Sequence, residues 1–130
     1  MKHDMDTVQL DGKKILVVED DYSSRLYLNT LLEKAGAVVF NAGDGKEAYE
    51  LVMANPYIEL VLMDLQLPVV DGYTCARMLR DAGNKVIIIA QTAYGLTGDR
   101  ERIMLSGFDD YLIKPISRNQ LLDKLSSFLL

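Results

Sequence analysis

The chain has 130 residues, a length that fits one domain with its own buried core. Its formal net charge of −5 argues against direct binding to DNA or RNA, because phosphate backbones require clustered Lys and Arg. No apolar run approaches the ~18 residues of a membrane-spanning helix, no signal peptide is visible, and the single cysteine, Cys75, excludes an internal disulfide. We therefore expect a cytoplasmic domain without membrane insertion.

Residues 1–12 are predicted to form a flexible leader, and 13–130 the folded domain. Five short apolar runs then recur along the chain. They are β-branched and uninterrupted rather than alternating, which is typical of strands buried on both faces. The runs are 15–18, 37–40, 60–63, 86–90 and 111–113.

Helical signals follow each run. The predicted starts are acceptor side chains at Asp44, Asp71, Thr97 and Ser117, and the predicted stops are glycines at Gly36, Gly83 and Gly107. Glu47 and Gln120, three residues after two of the starts, complete the pattern of a capping box. The alternation predicts five βα units, hence a parallel sheet with helices on both faces.

Polar side chains stand where four of these strands end. Glu19 and Asp20 follow the first strand, Asp64 the third, Thr92 the fourth and Lys114 the fifth. Because the carboxyl ends of parallel strands share one edge, where such sheets bind ligands, we expect these side chains in one acidic pocket.

Crowded carboxylates need a cation or a proton. Two of them about 4 Å apart at an effective dielectric near 20 repel by roughly 4 kcal/mol. Oxygen ligands without His or Cys favour Mg²⁺, or Mn²⁺, over zinc. A helix cap is the alternative interpretation of any single acid, and Asp21 suits it, but Glu19, Asp20 and Asp64 together favour a metal site.

Asp64 is the candidate nucleophile, since a carboxylate that attacks phosphorus gives a labile acyl phosphate. Lys114 is the candidate for stabilising the transferring group, and Pro115 constrains the turn that aims it. Thr92 offers a hydroxyl, and the loop after Asp64 can turn the backbone carbonyl of Gln66 toward the metal.

With these motifs the chain resembles the receiver domains of two-component response regulators, from about residue 13 to 129. Asp64 to Gly72 matches the family pattern D-x-x-M-P-x-x-D-G, with Leu67 in place of methionine. The other matching segments are Val17-Val18-Glu19-Asp20-Asp21, Thr92-Ala93 and Tyr111-Leu112-Ile113-Lys114-Pro115. The resemblance implies a flavodoxin-like three-layer fold with strand order 2-1-3-4-5.

The resemblance also implies a phosphorelay function. Asp64 would accept a phosphoryl group from a phosphohistidine of a sensor histidine kinase or a histidine phosphotransfer domain. Asp20, Asp64 and the Gln66 carbonyl would bind Mg²⁺ directly, and Glu19 through water. Lys114 and Thr92 would bind the phosphoryl oxygens, while Thr92 and Tyr111 would switch the surface of the fourth helix, fifth strand and fifth helix.

Several alternatives stay open. The segment from Ile89 to Tyr94 resembles receivers appended to hybrid sensor histidine kinases, so the chain is either a stand-alone regulator or part of such a kinase. Gln66 and Tyr94 lie where the family controls water access, and we expect Tyr94 to slow hydrolysis. A phosphorylation-independent pseudo-receiver, a haloacid-dehalogenase-like phosphatase and a nucleotide-binding module are weaker fits. We expect no stand-alone enzyme beyond aspartyl phosphotransfer and self-dephosphorylation.

Overall fold

Five parallel strands form one sheet in the computed structural model, which describes residues 9–93 and 97–130. The strands are β1 (Lys14–Val18), β2 (Val38–Ala42), β3 (Leu60–Asp64), β4 (Ile87–Thr92) and β5 (Asp110–Ile113). They pair in the order β2-β1-β3-β4-β5. The expected topology is therefore confirmed, and it places the ends of β1, β3, β4 and β5 side by side.

A helix follows every strand. The helices are α1 (Tyr22–Lys34), α2 (Gly45–Ala54), α3 (Gly72–Asp81), α4 (Thr97–Leu105) and α5 (Arg118–Leu129). Ser117 and Gln120 form the reciprocal capping box that the sequence predicts. Glu47 behaves differently, because its carboxylate accepts a hydrogen bond from the Gly43 N–H at 2.7 Å rather than from the Asp44 cap. None of the helices within the described residues is long and apolar enough to cross a membrane.

Two apolar clusters cover the faces of the sheet. Helices α2, α3 and α4 pack on one face, and α1 and α5 on the other. Strands β1, β3 and β4 are buried almost throughout, as their apolar runs predict. The two edge strands differ, since Val38 in β2 is 45% exposed and Ile113 in β5 is 46% exposed. Uninterrupted apolar sequence does not distinguish an edge strand from a central one.

Residues 9–12, which belong to the predicted leader, contact the folded domain. The Leu10 side chain is fully buried in the cluster beneath α1 and α5. The Leu10 N–H donates to the Ala35 carbonyl at 2.8 Å, and the Gly12 N–H to the Gly36 carbonyl at 2.9 Å. One apolar side chain among polar neighbours carries no periodicity, so no local pattern places it in the core. Residues 1–8 of the predicted leader lie outside the described residues.

Candidate functional site

The polar side chains at the strand ends do meet in one pocket of about 400 Å³. Glu19, Asp20, Asp64, Thr92 and Lys114 all line it. The parallel topology is the cause, because each strand delivers its last side chain to the same edge of the sheet. The ends of β1, β3, β4 and β5 therefore converge as the sequence predicts.

Lys114 bridges two of the carboxylates. Its Nζ donates to Asp64 Oδ2 at 2.9 Å and to Glu19 Oε1 at 3.3 Å. The Lys114 N–H donates to the Thr92 carbonyl at 2.7 Å, which joins the ends of β4 and β5. The Lys114-Pro115 peptide bond is cis. The ammonium group therefore reaches from the edge strand β5 to the end of the central strand β3.

The charges of the site are crowded and partly buried. Burial is the main reason that the pKa of Glu19 rises above its ordinary value, and the nearby charge of Asp64 raises it further. Burial alone would lower the pKa of Lys114, but its hydrogen bonds and charge interactions with Asp64 and Glu19 outweigh this and raise it. Lys114 thus stays protonated as the counter-ion of both acids.

The donor set fits a divalent cation of the Mg²⁺ type. One carboxylate oxygen each of Glu19, Asp20 and Asp64 lie within 4.8 Å of one another. The three clustered carboxylates and the Lys114 ammonium that contacts two of them sum to a formal charge of −2, equal and opposite to that of one divalent cation. All three side chains offer oxygen, the ligand atom that hard cations prefer. Gln66 lines the same pocket, with its backbone N–H donating to Asp64 Oδ1 at 2.9 Å.

The start of α3 packs against the backbone of Asp64. The Gly72 N–H donates to the Leu65 carbonyl at 3.0 Å, and a Cβ on Gly72 would lie 2.4 Å from the Asp64 carbonyl oxygen. The Asp71 carboxylate caps the helix by accepting from the Thr74 N–H at 2.8 Å. Only glycine permits this approach, so the Asp71-Gly72 pair fixes the position of the strand end that carries Asp64.

The two predicted switch residues occupy different places. Thr92 is 4% exposed and lines the pocket. Tyr111 is half-buried, packs against the apolar cluster of α2, α3 and α4, and is not among the described residues that line the pocket.

Tyr94, for which we expected an effect on hydrolysis, lies outside the described residues. Asp21 is the helix cap that the sequence suggested, since its carboxylate accepts from the Ser24 N–H at 2.9 Å.

Several residues that line the pocket were not assigned to the site from the sequence, among them Tyr73 of α3 and Arg102 of α4. The Arg102 guanidinium carbon lies 3.9 Å from the centre of the Tyr73 ring, well within the ~6 Å range of a cation–π interaction. Phe108 meets the same ring edge-on, with centroids 6.2 Å apart. Tyr73 and Arg102 lie far apart in sequence on different helices, and no short motif links them.

Comparisons with known proteins agree with this architecture. Residues 15–126 match the family model described as "Response regulator receiver domain". The probable transcriptional regulatory protein SilR of Salmonella typhimurium is 40% identical over 89% of the chain, and the sensor histidine kinase GacS of Pseudomonas protegens is 34% identical over 89%. The chain spans about half of SilR and 13% of GacS.

Solved receiver structures resemble the chain closely. The receiver domain of Ssk1 from Saccharomyces cerevisiae, crystallised with the histidine phosphotransfer protein Ypd1, aligns with a TM-score of 0.87 and 30% identity, covering 92% of this chain and 90% of that one. The receiver domain of the sensor kinase PA1611 from Pseudomonas aeruginosa, with a magnesium ion coordinated in its active-site cleft, has a TM-score of 0.84 and 37% identity, covering 91% and 98%.

Fold and matches together define a receiver domain of two-component signal transduction. The chain belongs to the response regulator receiver domain family.

Proposed function

We propose that Asp64 is the phosphoacceptor of a phosphorelay and that its donor is a phosphohistidine on a sensor histidine kinase or a histidine phosphotransfer domain. The observation that carries the proposal is the 2.9 Å contact between Lys114 Nζ and Asp64 Oδ2 beside two further carboxylates. This arrangement holds a nucleophile, its counter-ion and a cation site within one pocket.

In the transfer step an Asp64 oxygen attacks the phosphorus. The bond from phosphorus to the imidazole nitrogen breaks, and its electron pair returns to the imidazole. Lys114 already contacts Asp64 and supplies positive charge to the phosphoryl oxygens, to which Thr92 offers its hydroxyl. The positions of Lys114 and Thr92 in the pocket support these two roles.

Asp20, Asp64 and the Gln66 backbone carbonyl would hold Mg²⁺ directly, and Glu19 would hold it through water. When bound, the ion offsets charge that develops on the transferring phosphoryl group. Mn²⁺ is a second candidate, because it accepts the same oxygen ligands. The residual charge of −2 from three carboxylates and one ammonium supports this assignment.

Phosphorylation would act as a conformational switch. Thr92 would move toward the phosphoryl group and Tyr111 would turn inward, reshaping the surface formed by α4, β5 and α5. The half-buried position of Tyr111 supports this, since its ring already packs partly against the core. The phosphoryl group shifts the population only by stabilising the active arrangement more than the inactive one.

The domain has two candidate contexts, a response regulator and a hybrid sensor kinase. The chain acts as a cytoplasmic regulator that signals to a partner, as similarity to SilR suggests, or as the receiver of a hybrid kinase, as similarity to GacS suggests. In both contexts the phosphoacceptor chemistry is the same. The net charge of −5 supports a role for this domain in binding proteins rather than nucleic acid.

The test uses Mg²⁺ and labelled acetyl phosphate. The parent chain should incorporate one acid-stable, base-labile phosphate, and Asp64→Asn should incorporate none while keeping its fold by circular dichroism. Asp123→Asn, the same change at an exposed acid of α5, is the matched control and should label like the parent. Equal labelling of Asp64→Asn would place the nucleophile elsewhere, and a parent that never labels would indicate a pseudo-receiver.

A further inference from the structure

One wall of the pocket that contains Asp64 is formed by helices rather than by strand ends. Tyr73 enters it from the first turn of α3, and Arg102 from α4. Lys114 reaches the same pocket from the end of β5. The wall therefore joins the helices that follow β3 and β4, the two strands that carry Asp64 and Thr92.

Arg102 contacts an aromatic ring rather than one of the nearby acids. Five acids line the pocket (Glu19, Asp20, Asp21, Asp64 and Asp99), yet its guanidinium group stacks on the Tyr73 ring at 3.9 Å. Within the described part of the chain Arg102 forms no ion pair. Arg102 is exposed to solvent, yet its guanidinium group lies over the Tyr73 ring at the pocket wall.

The Tyr73 ring is itself held in place. Phe108, which is 3% exposed, packs edge-on against it with an interplanar angle of 88°. Phe108 therefore anchors the ring to the core, while the Arg102 guanidinium lies over the ring. A stack anchored on one side resists displacement more than two free surface side chains would.

We propose that the Tyr73–Arg102 stack restricts access of water to the phosphoryl group on Asp64 and so lengthens the lifetime of the phosphorylated state. The inference rests on the proposed function, because it concerns the phosphoryl group at that site. Tyr73 and Arg102 act here as positioning residues that cover the pocket and take no part in bond making.

The reaction that the stack slows is simple hydrolysis. A water oxygen attacks the phosphorus, the bond to the Asp64 oxygen breaks, and its electron pair stays on the carboxylate. The proton of the attacking water passes to solvent as inorganic phosphate leaves. If water enters mainly when the stack is open, the hydrolysis rate follows the open fraction, and a cation–π contact at an exposed arginine lowers that fraction by roughly two- to fivefold.

The experiment measures loss of label from the phosphorylated protein after the donor is removed. Arg102→Ala should shorten the lifetime by about two- to fivefold. Arg100→Ala is the matched control, because it removes the same charge from the same helix at an exposed residue that does not line the pocket. It should decay like the parent. Equal lifetimes of Arg102→Ala and the parent would overturn the proposal.

A double-mutant cycle distinguishes two ways in which Arg102 could act: as part of the stack with Tyr73, or through its positive charge alone. If the stack acts as a unit, Tyr73→Ala and Tyr73→Ala/Arg102→Ala should decay as fast as Arg102→Ala, while Tyr73→Phe, which keeps the ring, should decay like the parent. Additive effects, or an effect of Arg102→Ala alone, would show that the guanidinium acts on the phosphoryl charge instead, and would refute the stack mechanism.

Two further measurements keep the test independent of folding and of the phosphoacceptor assignment. Ring-current shifts of the Arg102 side-chain protons in the unphosphorylated protein should disappear in Tyr73→Ala, and their absence from the parent would overturn the stack in solution. Acetyl phosphate enters the same pocket, so its labelling rate should rise in Arg102→Ala as well. A parent chain that never labels refutes the proposed function, whereas a parent that labels with unaltered Arg102→Ala kinetics refutes only this inference.

Discussion

Gly72→Ala is the substitution that most directly tests how the fold positions Asp64, the proposed nucleophile. The new Cβ would lie 2.4 Å from the Asp64 carbonyl oxygen and 2.9 Å from the Leu65 Cα, both backbone atoms that cannot rotate away. Ordinary contact begins at 3.4 Å, so α3 and the end of β3 must separate by about 1 Å. Crowding of this kind costs about 1–3 kcal/mol, and the helix preference of alanine returns up to about 1 kcal/mol.

The expected net destabilisation is therefore about 1–2 kcal/mol, which lowers Tm by roughly 4–10 °C in a domain of this size. A displacement of about 1 Å at a reacting group reduces a rate by up to ~100-fold. We expect the rate of Asp64 labelling by acetyl phosphate to fall well beyond what the loss of folded protein explains. Labelling rates are compared at a temperature where circular dichroism shows both proteins fully folded.

Gly83→Ala provides the control at the other end of α3. Gly83 has a φ of +79°, and no atom lies within 4 Å of the point that a Cβ would occupy, so alanine there is strained without any clash. The cost of Gly83→Ala, about 1–2 kcal/mol, matches that of Gly72→Ala, but Gly83 lies far from Asp64 in sequence. Equal labelling rates for the two variants would refute the reasoning, because stability alone would then set the rate.

Three further outcomes follow from the charges of the site and the burial of its surroundings. Lys114→Ala should retain Mg²⁺ binding, measured by calorimetry, but lose the conformational response to beryllofluoride that nuclear magnetic resonance detects; an unaltered response would contradict its role. Because the pKa of Glu19 is raised above 4.5, the folded protein holds that proton more tightly than the unfolded chain, so the stability of the metal-free protein should fall as pH rises from 4.5 through the raised pKa. Glu19→Gln should flatten that part of a urea-denaturation series, and a parent profile that is already flat would contradict the shift. Burial raises the pKa of Cys75 to about 12, so a thiol reagent should react only after unfolding, and rapid labelling of the native protein would contradict its burial.

The sequence was sufficient for the parts of the fold that depend on local patterns. Apolar runs located all five strands, and acceptor side chains such as Asp71 and Ser117 located helix starts that the structure confirms as caps. Each strand-end side chain then followed from topology, because parallel strands share an edge. Local patterns could not predict contacts between elements that are distant in sequence. The exposure of Val38 depends on β2 having one neighbour, and burial of Leu10 depends on a cluster contributed by distant helices.

The pocket wall shows the same division between local and long-range information. Asp64 and Lys114 could be placed in one pocket because each follows or ends a strand of one parallel sheet, whose carboxyl ends share an edge. Tyr73 and Arg102 meet because α3 and α4 lie side by side on one face of the sheet, and their contact depends on helix rotation and side-chain direction. The strand-end side chains therefore carry the proposed phosphoacceptor chemistry. Under the inference drawn above, Tyr73 and Arg102 of the covering helices would vary how long its product lasts, since they line the pocket while the Lys114 ammonium hydrogen-bonds to Asp64 and Glu19.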